Sequence, residues 1–448
     1  MNLRKHLYFN LVALRGHKLG QVYRQFGREV ENGIAPDTNR NLLVKMLDHA
    51  EKSSPYYRQY LAGSNYRADP EEALCRLPIL TKDIIRTRFE DLKSKDLSSR
   101  KWFKASSSGS TGEPIEIIQD WEFADHAGAV KLIFSKLAGR EIGELELQIW
   151  GSIRDITKGS DSWQARLVNG ISNSHFINAF RMTREQMRDT ILLMNKRKPK
   201  LILSYAENLV QLARFSHQEN LPIEPQAAVM STAATLYPHM RETIETGFGC
   251  MVYNRYGSRE VGDIASNRRG VNGLWIAPWG NYIEIVDDQG NRVPDGVEGN
   301  ILVTSLTNYA MPLIRYQIGD RGILAPQSAN PGIHEQVFQD LTGRSSDVLW
   351  TKNGNFVHGG YLVGLLYHAN WVAQIQVVQK ALDHVVYRLV KANDAYTQHD
   401  LDEIKHNAQM ALGSDCRIEF EFVDEIPLTS SGKLRYLISE VPESEINH

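Results

Sequence analysis

Five short stretches hold residue types able to bind or move charge. Ser106 to Pro114 reads SSSGSTGEP. On such a loop, backbone N–H groups and hydroxyls can form a concavity that accepts phosphate oxygens. It is not a P-loop of the GxxxxGK[ST] type, because Gly109 and Gly112 stand too close and no Lys-Ser/Thr follows them. Its composition fits a flexible linker equally well. Its position, between KWFKA and the strand-like EPIEIIQD, favours a loop joining two strands. Tyr256 to Gly262, YGSREVG, carries Glu260 just after the apolar run MVYN. Arg315 to Asp320, RYQIGD, puts an acid in a turn between strand segments. Gly343 to Asp347 reads GRSSD, and Leu428 to Arg435 reads LTSSGKLR around Lys433. Singly, each has an ordinary reading: a solvated acid, a turn aspartate, a linker and an exposed loop lysine.

Elements that would position these residues follow from the apolar pattern. The first hundred residues read as mostly helical and polar. LELQIWGS, KLILSY, QAAVMSTA and MVYNRYG read as buried strands, with AENLVQLARFSHQEN and YPHMRETIETGFG as helices between them. Strands alternating with helices imply a mainly parallel sheet covered on both faces. From about Asn281 the pattern turns antiparallel: YIEIVDDQGNRVP, GNILVTSL and LIRYQIGDRGIL. Beyond GRSSD comes a smaller α+β unit of about 100 residues, a normal domain size. It contains the hairpin DVLWTKNGNFV, the helices GYLVGLLYHANW and LDEIKHNAQMAL, and the strands QIQVVQKA, HVVYRLVKA and CRIEFEFVDEI. The expected fold class is therefore α/β. Residues 1–342 form a large N-terminal domain of several parts, 343–347 a hinge, and 348–448 a small α+β C-terminal domain.

Composition narrows the function. The chain has 448 residues, 42% apolar, with a formal net charge of -2. It can bury large cores, and no global field recruits nucleic acid or a membrane surface, so a polyanion must meet a local site. Cys75, Cys250 and Cys416 form no CxxC pair and no disulfide framework, which suits a reducing compartment. The basic N-terminus lacks the pattern of a signal peptide, and no apolar run reaches the roughly 18 residues of a membrane span. A soluble, cytoplasmic protein is expected.

In this order and spacing, the five stretches resemble the adenylate-forming superfamily of acyl-CoA synthetases, peptide-synthetase adenylation domains and their relatives. The resemblance runs from Trp102 onward. Within that superfamily, EGNILVTSLTNYAMPLIRYQIGDRG is similar to the phenylacetate-CoA ligase branch and to capsule-biosynthesis adenylating proteins. The resemblance implies two β-α layered parts and a small β-barrel-like part, closed over by a mobile C-terminal domain. It implies ATP-dependent activation of a carboxylic acid through acyl-AMP, with pyrophosphate release, then transfer of the acyl group. Coenzyme A is the favoured acceptor, and a carrier-protein thiol or an amine are the alternatives. An inert nucleotide-binding or acyl-binding relative is the rival reading. Retention of Glu260, Asp320, Arg344 and Lys433 together speaks against it.

The implied roles carry over residue by residue. Ser106, Ser107, Ser108, Gly109, Ser110, Thr111 and Gly112 match the phosphate loop of ATP. Thr232, Ala233, Ala234 and Thr235 match the segment lining the adenine, and Tyr256 and Gly257 the motif covering its other side. Glu260 matches the acid that holds Mg²⁺, Asp320 the carboxylate on the ribose hydroxyls, and Arg344 a hinge-side arginine reaching ribose or phosphate. Lys433 matches the lysine that touches both the acid and the α-phosphate. Trp150, Tyr205 and Ile264 are candidates for the acyl pocket. The sequence departs from the pattern at Glu113, where relatives often carry Lys, at Arg259, where a hydroxyl residue is common, and at Ser346 or Asp347, either of which fits the hinge. The segment DIASNRRGVNGLWIAPWGNY holds no Cys or His, so no structural zinc is expected there.

Overall fold

The computed structural model describes residues 2–106, 115–150, 163–178, 183–232, 235–344, 348–353, 356–366, 369–428 and 434–442. Strands β1 (Trp102–Ser106) and β2 (Glu116–Asp120) pair antiparallel, with Ser106 opposite Glu116. The serine–glycine run therefore joins two strands of one hairpin, as its flanks imply. Asp120 ends β2 and caps the next helix, Trp121–Leu137, accepting from the Phe123 amide at 2.9 Å. Such a cap satisfies a backbone donor that has no partner within the helix.

Five parallel strands follow: β3 (Glu146–Trp150), β4 (Ser174–Asn178), β5 (Leu201–Ser204), β6 (Val229–Thr232) and β7 (Val252–Ser258), in the order β4-β3-β5-β6-β7. Every residue of β5 and β6 is buried. Both faces of this layer are covered by helices, which is why these strands read as continuous apolar runs. Helices Arg184–Arg197, Ala206–Gln218 and Pro238–Phe248 build the core on one face, around Ile191, Leu209 and Ile244. Helices Leu19–Asn32 and Trp121–Leu137 build the other, around Phe26, Ile133 and Phe134.

The change to antiparallel pairing comes earlier than the sequence suggests. Strand β8 (Gly262–Ser266) already runs against β7, and β9 (Leu274–Ile276) runs against β8. Strands β10 (Asn281–Val286), β11 (Gly299–Ser305), β12 (Tyr316–Leu324) and β13 (Val337–Arg344) complete a continuous eleven-stranded sheet. Three-residue β9 is wholly buried, so it shows no alternation to mark it as a strand. The antiparallel half shares a third core with the helices near the N-terminus, including Leu43, Leu47, Tyr57, Ile283 and Val303.

A separate sheet forms the C-terminal domain. Strands β14 (Val348–Trp350) and β15 (Phe356–His358) make the expected hairpin. Strands β16 (Val372–Ala381), β17 (His384–Lys391), β18 (Arg417–Phe422) and β19 (Leu437–Ser439) pair in the order β18-β17-β16-β19. The helix Gln398–Leu412 packs Leu401, Ile404 and Ala408 against this sheet's own core. All three cysteines are free thiols. Among the described residues no helix is long and apolar enough to cross a membrane.

Candidate functional site

The site gathers where the sheet changes from parallel to antiparallel. Gly257 lies opposite Asp263 and Ser258 opposite Gly262, so Arg259, Glu260 and Val261 form the tip between β7 and β8. A Cβ on Gly257 would lie 2.5 Å from the Gly262 carbonyl oxygen, so the close approach of these strands itself demands glycine. Gln119 of β2 holds the tip from outside. Its Nε2 donates to the carbonyls of Arg259 at 2.9 Å and Glu260 at 3.2 Å. The β1–β2 hairpin and the Glu260 turn are thus tied together. Glu260 is 8% exposed, and its Oε1 receives a long contact from the Tyr316 hydroxyl at 3.5 Å. Burial, with Glu260 beside it, pushes the Tyr316 phenol well above its ordinary pKa, so it stays a donor.

Asp320 comes to the same place from β12. It lies within a bulged strand rather than in a turn between strand segments, with Gly319 at φ +89° just before it. The Tyr256 hydroxyl donates to Asp320 Oδ2 at 2.7 Å, and Arg344 is the backbone partner of Asp320 across β13. The start of β12 is locked by Arg315, a non-glycine residue at φ +52°. Such a backbone persists only where its surroundings over-determine it. Buried Arg315 pairs with buried Glu284 at 3.3 Å and donates to the carbonyls of Leu77 at 2.8 Å and Gly290 at 3.0 Å.

Thr232 is buried at the end of β6, opposite Arg255, and Thr235 is half-buried just beyond. Trp150 and Tyr205 stand together, ring centroids 4.6 Å apart and inclined by 31°. Ile264 differs from expectation: it is fully buried in the core shared with the N-terminal helices, so it offers no surface to a ligand. Its neighbour Asp263 is partly exposed and faces Arg255, with Nε 3.7 Å from Oδ2. Lys131, on the helix after β2, joins this pair electrostatically. Lys131 as a whole is exposed, but its ammonium lies among these groups, and their enclosure of it and Arg255 push its pKa down, against the pull of Asp263. Ser106 ends β1 in the open. Ser107, Ser108, Gly109, Ser110, Thr111, Gly112, Ala233, Ala234, Ser346, Asp347 and Lys433 lie outside the described residues, as does Glu113.

Residues 349–440 match the family model described as the CapK C-terminal domain. The chain is 26% identical to Protein CapK of Staphylococcus aureus over 409 residues, which cover 89% of this chain and 87% of that protein. It is 25% identical to the phenylacetate-coenzyme A ligase of Aromatoleum evansii over 327 residues, 68% of this chain and 70% of that one. The chain belongs to the adenylate-forming acyl-CoA ligase superfamily. Its fold also superposes on crystal structures of 2-hydroxyisobutyryl-CoA ligase at 19% identity. With that enzyme in the postadenylation state with 2-HIB-AMP, the TM-score is 0.69 over 89% of this chain and 88% of that one. With it in the thioesterification state with 2-HIB-AMP and CoA, the TM-score is 0.54 over 91% of each.

The roles read from the motifs do not include the residues that hold them in place. Gln119, Arg315 and Tyr316 escape a motif-by-motif reading, since each acts through a partner distant in sequence. Arg315 and Tyr316 do sit inside the RYQIGD stretch, which is the one local hint. Asp263 escapes because strand alternation reverses at the β7–β8 tip, where the register shifts between Tyr256 and Gly257.

Proposed function

We propose that the protein activates a carboxylic acid with ATP, forming acyl-AMP and pyrophosphate, and then passes the acyl group to the thiol of coenzyme A. The observation that carries this reading is the meeting of Tyr256, Glu260, Asp320 and the backbone of Arg344 around one strand junction. Asp320 offers two oxygens on one short side chain, which suits the vicinal diol of a ribose. Tyr256, fixed to it at 2.7 Å, offers a ring face to the base. Thr232 to Thr235 lines the opposite side. Glu260 is a nearly buried carboxylate whose oxygens receive, among the described residues, a long contact from the Tyr316 hydroxyl, a ligand type that fits a hard divalent cation. Bound there with phosphate oxygens, Mg²⁺ would neutralise charge on the triphosphate. Ser106 to Gly112 wraps the β- and γ-phosphates, and Gln119 keeps that hairpin in step with Glu260.

Two anions meet in the first half-reaction, so the chain must position them and neutralise charge at the α-phosphate. Lys433 supplies that charge from the C-terminal domain, and 343–347 is the hinge on which the domain turns. Trp150 and Tyr205 form one wall of the acyl pocket. A second reading keeps the acyl-AMP step and replaces coenzyme A with an amine or a carrier-protein thiol. The longer match is to Protein CapK, 89% of the chain against 68% for the Aromatoleum coenzyme A ligase, and that relative's name specifies no acceptor. Pyrophosphate release should be screened over a carboxylic acid library, with and without coenzyme A and hydroxylamine. Acid-dependent release with trapping by hydroxylamine is expected. Release without any acid, or none with every acid, would overturn the reading. Stimulation by coenzyme A separates the first acceptor from the second.

A further inference from the structure

The hydrophobic cores of the two domains meet at a single described side chain that no motif includes. Tyr436 lies three residues beyond Lys433, just before β19. Its backbone belongs to the C-terminal sheet: the Val377 amide donates to its carbonyl at 2.7 Å, and Gln376 Nε2 donates to the Arg435 carbonyl at 2.9 Å. Its ring packs against the C-terminal core and also against the core of the parallel layer, where Leu236 and Tyr237 pack too. The carboxylate of Glu207, in the first turn of the helix Ala206–Gln218 that follows β5, lies close enough to the Tyr436 hydroxyl to raise the phenol pKa by charge and hydrogen bonding. Enclosure, the Glu207 carboxylate and Tyr237 hold the phenol well above its ordinary pKa, with Arg214 opposing. It therefore stays protonated and donates.

We propose that Tyr436 is a positioning residue that seats the C-terminal domain on the parallel layer in the acyl-AMP-forming arrangement, with Glu207 as its partner. This rests on the acyl-AMP reading above. Tyr436 leads directly into β19, which pairs with β16, so seating its ring holds that edge of the C-terminal sheet against the parallel layer. The partner is well placed. Glu207 follows Tyr205, so one short segment senses both the acyl pocket and the C-terminal domain. The arrangement also has an outside measure. The chain superposes better on 2-hydroxyisobutyryl-CoA ligase after adenylation, TM-score 0.69, than in thioesterification, 0.54. A phenol bonded to a carboxylate is a reversible lock: it is lost when the domain leaves, and both groups then regain water.

The test uses the full chain with Tyr436→Phe, Glu207→Gln and the double variant. Each single change should slow acyl-AMP formation about tenfold, the usual scale for a hydrogen bond to a charged group. Acyl transfer from supplied acyl-AMP should stay within about twofold of wild type, and the double variant should lose no more than either single one. Equal loss in both half-reactions, no loss in either, or additive losses would overturn the proposal. A conformational readout is independent of turnover. Tyr436→Ala should expand the molecule in small-angle scattering and speed amide exchange in the first turn of Ala206–Gln218, while exchange in β16 and β17 stays protected. Unchanged scattering and exchange would overturn it, even if no acid proved to be a substrate. Absence of acid-dependent pyrophosphate release by the wild type, with the scattering change present, would sink the acyl-AMP reading and leave the contact between domains standing.

Discussion

Glu260 and Asp320 are held by the large sheet, whereas the C-terminal domain has a sheet and a core of its own. Asp320 stands on a strand and Glu260 at the turn between two strands of one continuous sheet, fixed by register, by Gln119 and by the buried Arg315–Glu284 pair. Their geometry is set at folding. The C-terminal domain, to whose sequence Lys433 belongs, has its own core, and among the described residues Tyr436 packs against both that core and the parallel layer. The fixed half suits binding, which must be precise and repeatable. The carried half suits a group wanted in one step and unwanted in the next. Damage to the first should therefore affect nucleotide handling throughout, and damage to the second should separate the half-reactions.

The largest effect is expected at Lys433. Removing one preorganised charge contact costs about 10² to 10³ in rate. Lys433→Ala should nearly abolish pyrophosphate release, while acyl transfer from supplied acyl-AMP continues close to the wild-type rate. Equal loss in both steps would break the comparison, since Lys433 would then behave like a fixed residue.

Glu260→Gln should come next, slowing adenylation by about 10². Its isosteric amide preserves the packing around Tyr316, so the melting temperature should hardly move. A large fall in melting temperature would make Glu260 part of the scaffold.

Smaller again is the nucleotide pair. Asp320→Asn should raise the apparent KM for ATP about tenfold and change that for the acid less. Tyr256→Phe, which deletes the 2.7 Å bond but keeps the ring, should raise it only a few-fold. If Tyr256→Phe costs as much as Asp320→Asn, the hydroxyl does more than orient the carboxylate.

The same division explains what could be read from sequence. Parallel strands announce themselves because burial on both faces leaves apolar runs, as at β5 and β6. The hairpin around SSSGSTGEP and the small C-terminal sheet were legible from turn chemistry and alternation. Strand β9 was not, being three buried residues whose pairing is decided by β8 and β13. Nor was the in-strand position of Asp320, since a bulge with Gly319 at positive φ looks like a turn in one dimension. Motifs marked the residues proposed to meet the nucleotide. Residues acting through tertiary partners, such as Gln119, Arg315 and Tyr436, leave no local signature. Ile264 shows the converse error: an apolar residue beside a motif is placed by strand parity, and here parity turns it into the core.

The smallest expected effect concerns the fixed half alone. His49, on the helix Thr38–Ser53, lies with Nε2 2.8 Å from the Tyr309 carbonyl and near the hydroxyls of Ser53 and Ser94. The short contact to a carbonyl requires Nε2 to carry a proton, which the neutral ring can supply. A second ring proton adds charge in a place where burial and Arg100 oppose it, so the folded-state pKa lies below the ordinary value of 6.5. The unfolded chain therefore takes up this proton first on acidification. The contribution to stability is complete above about pH 6.5 and is lost as pH falls through that value toward the lower folded-state pKa. His49 ties the N-terminal helices to the segment after β11, so acid should loosen the larger domain selectively. Amide exchange at pH 5.5 should speed in Thr38–Ser53 relative to pH 7.5, after correction for intrinsic rates, with no matching change in β16 and β17. His49→Asn, uncharged at both pH values, should remove the difference. Loosening of both domains together would mean that their stabilities are coupled more tightly than one tyrosine contact can arrange.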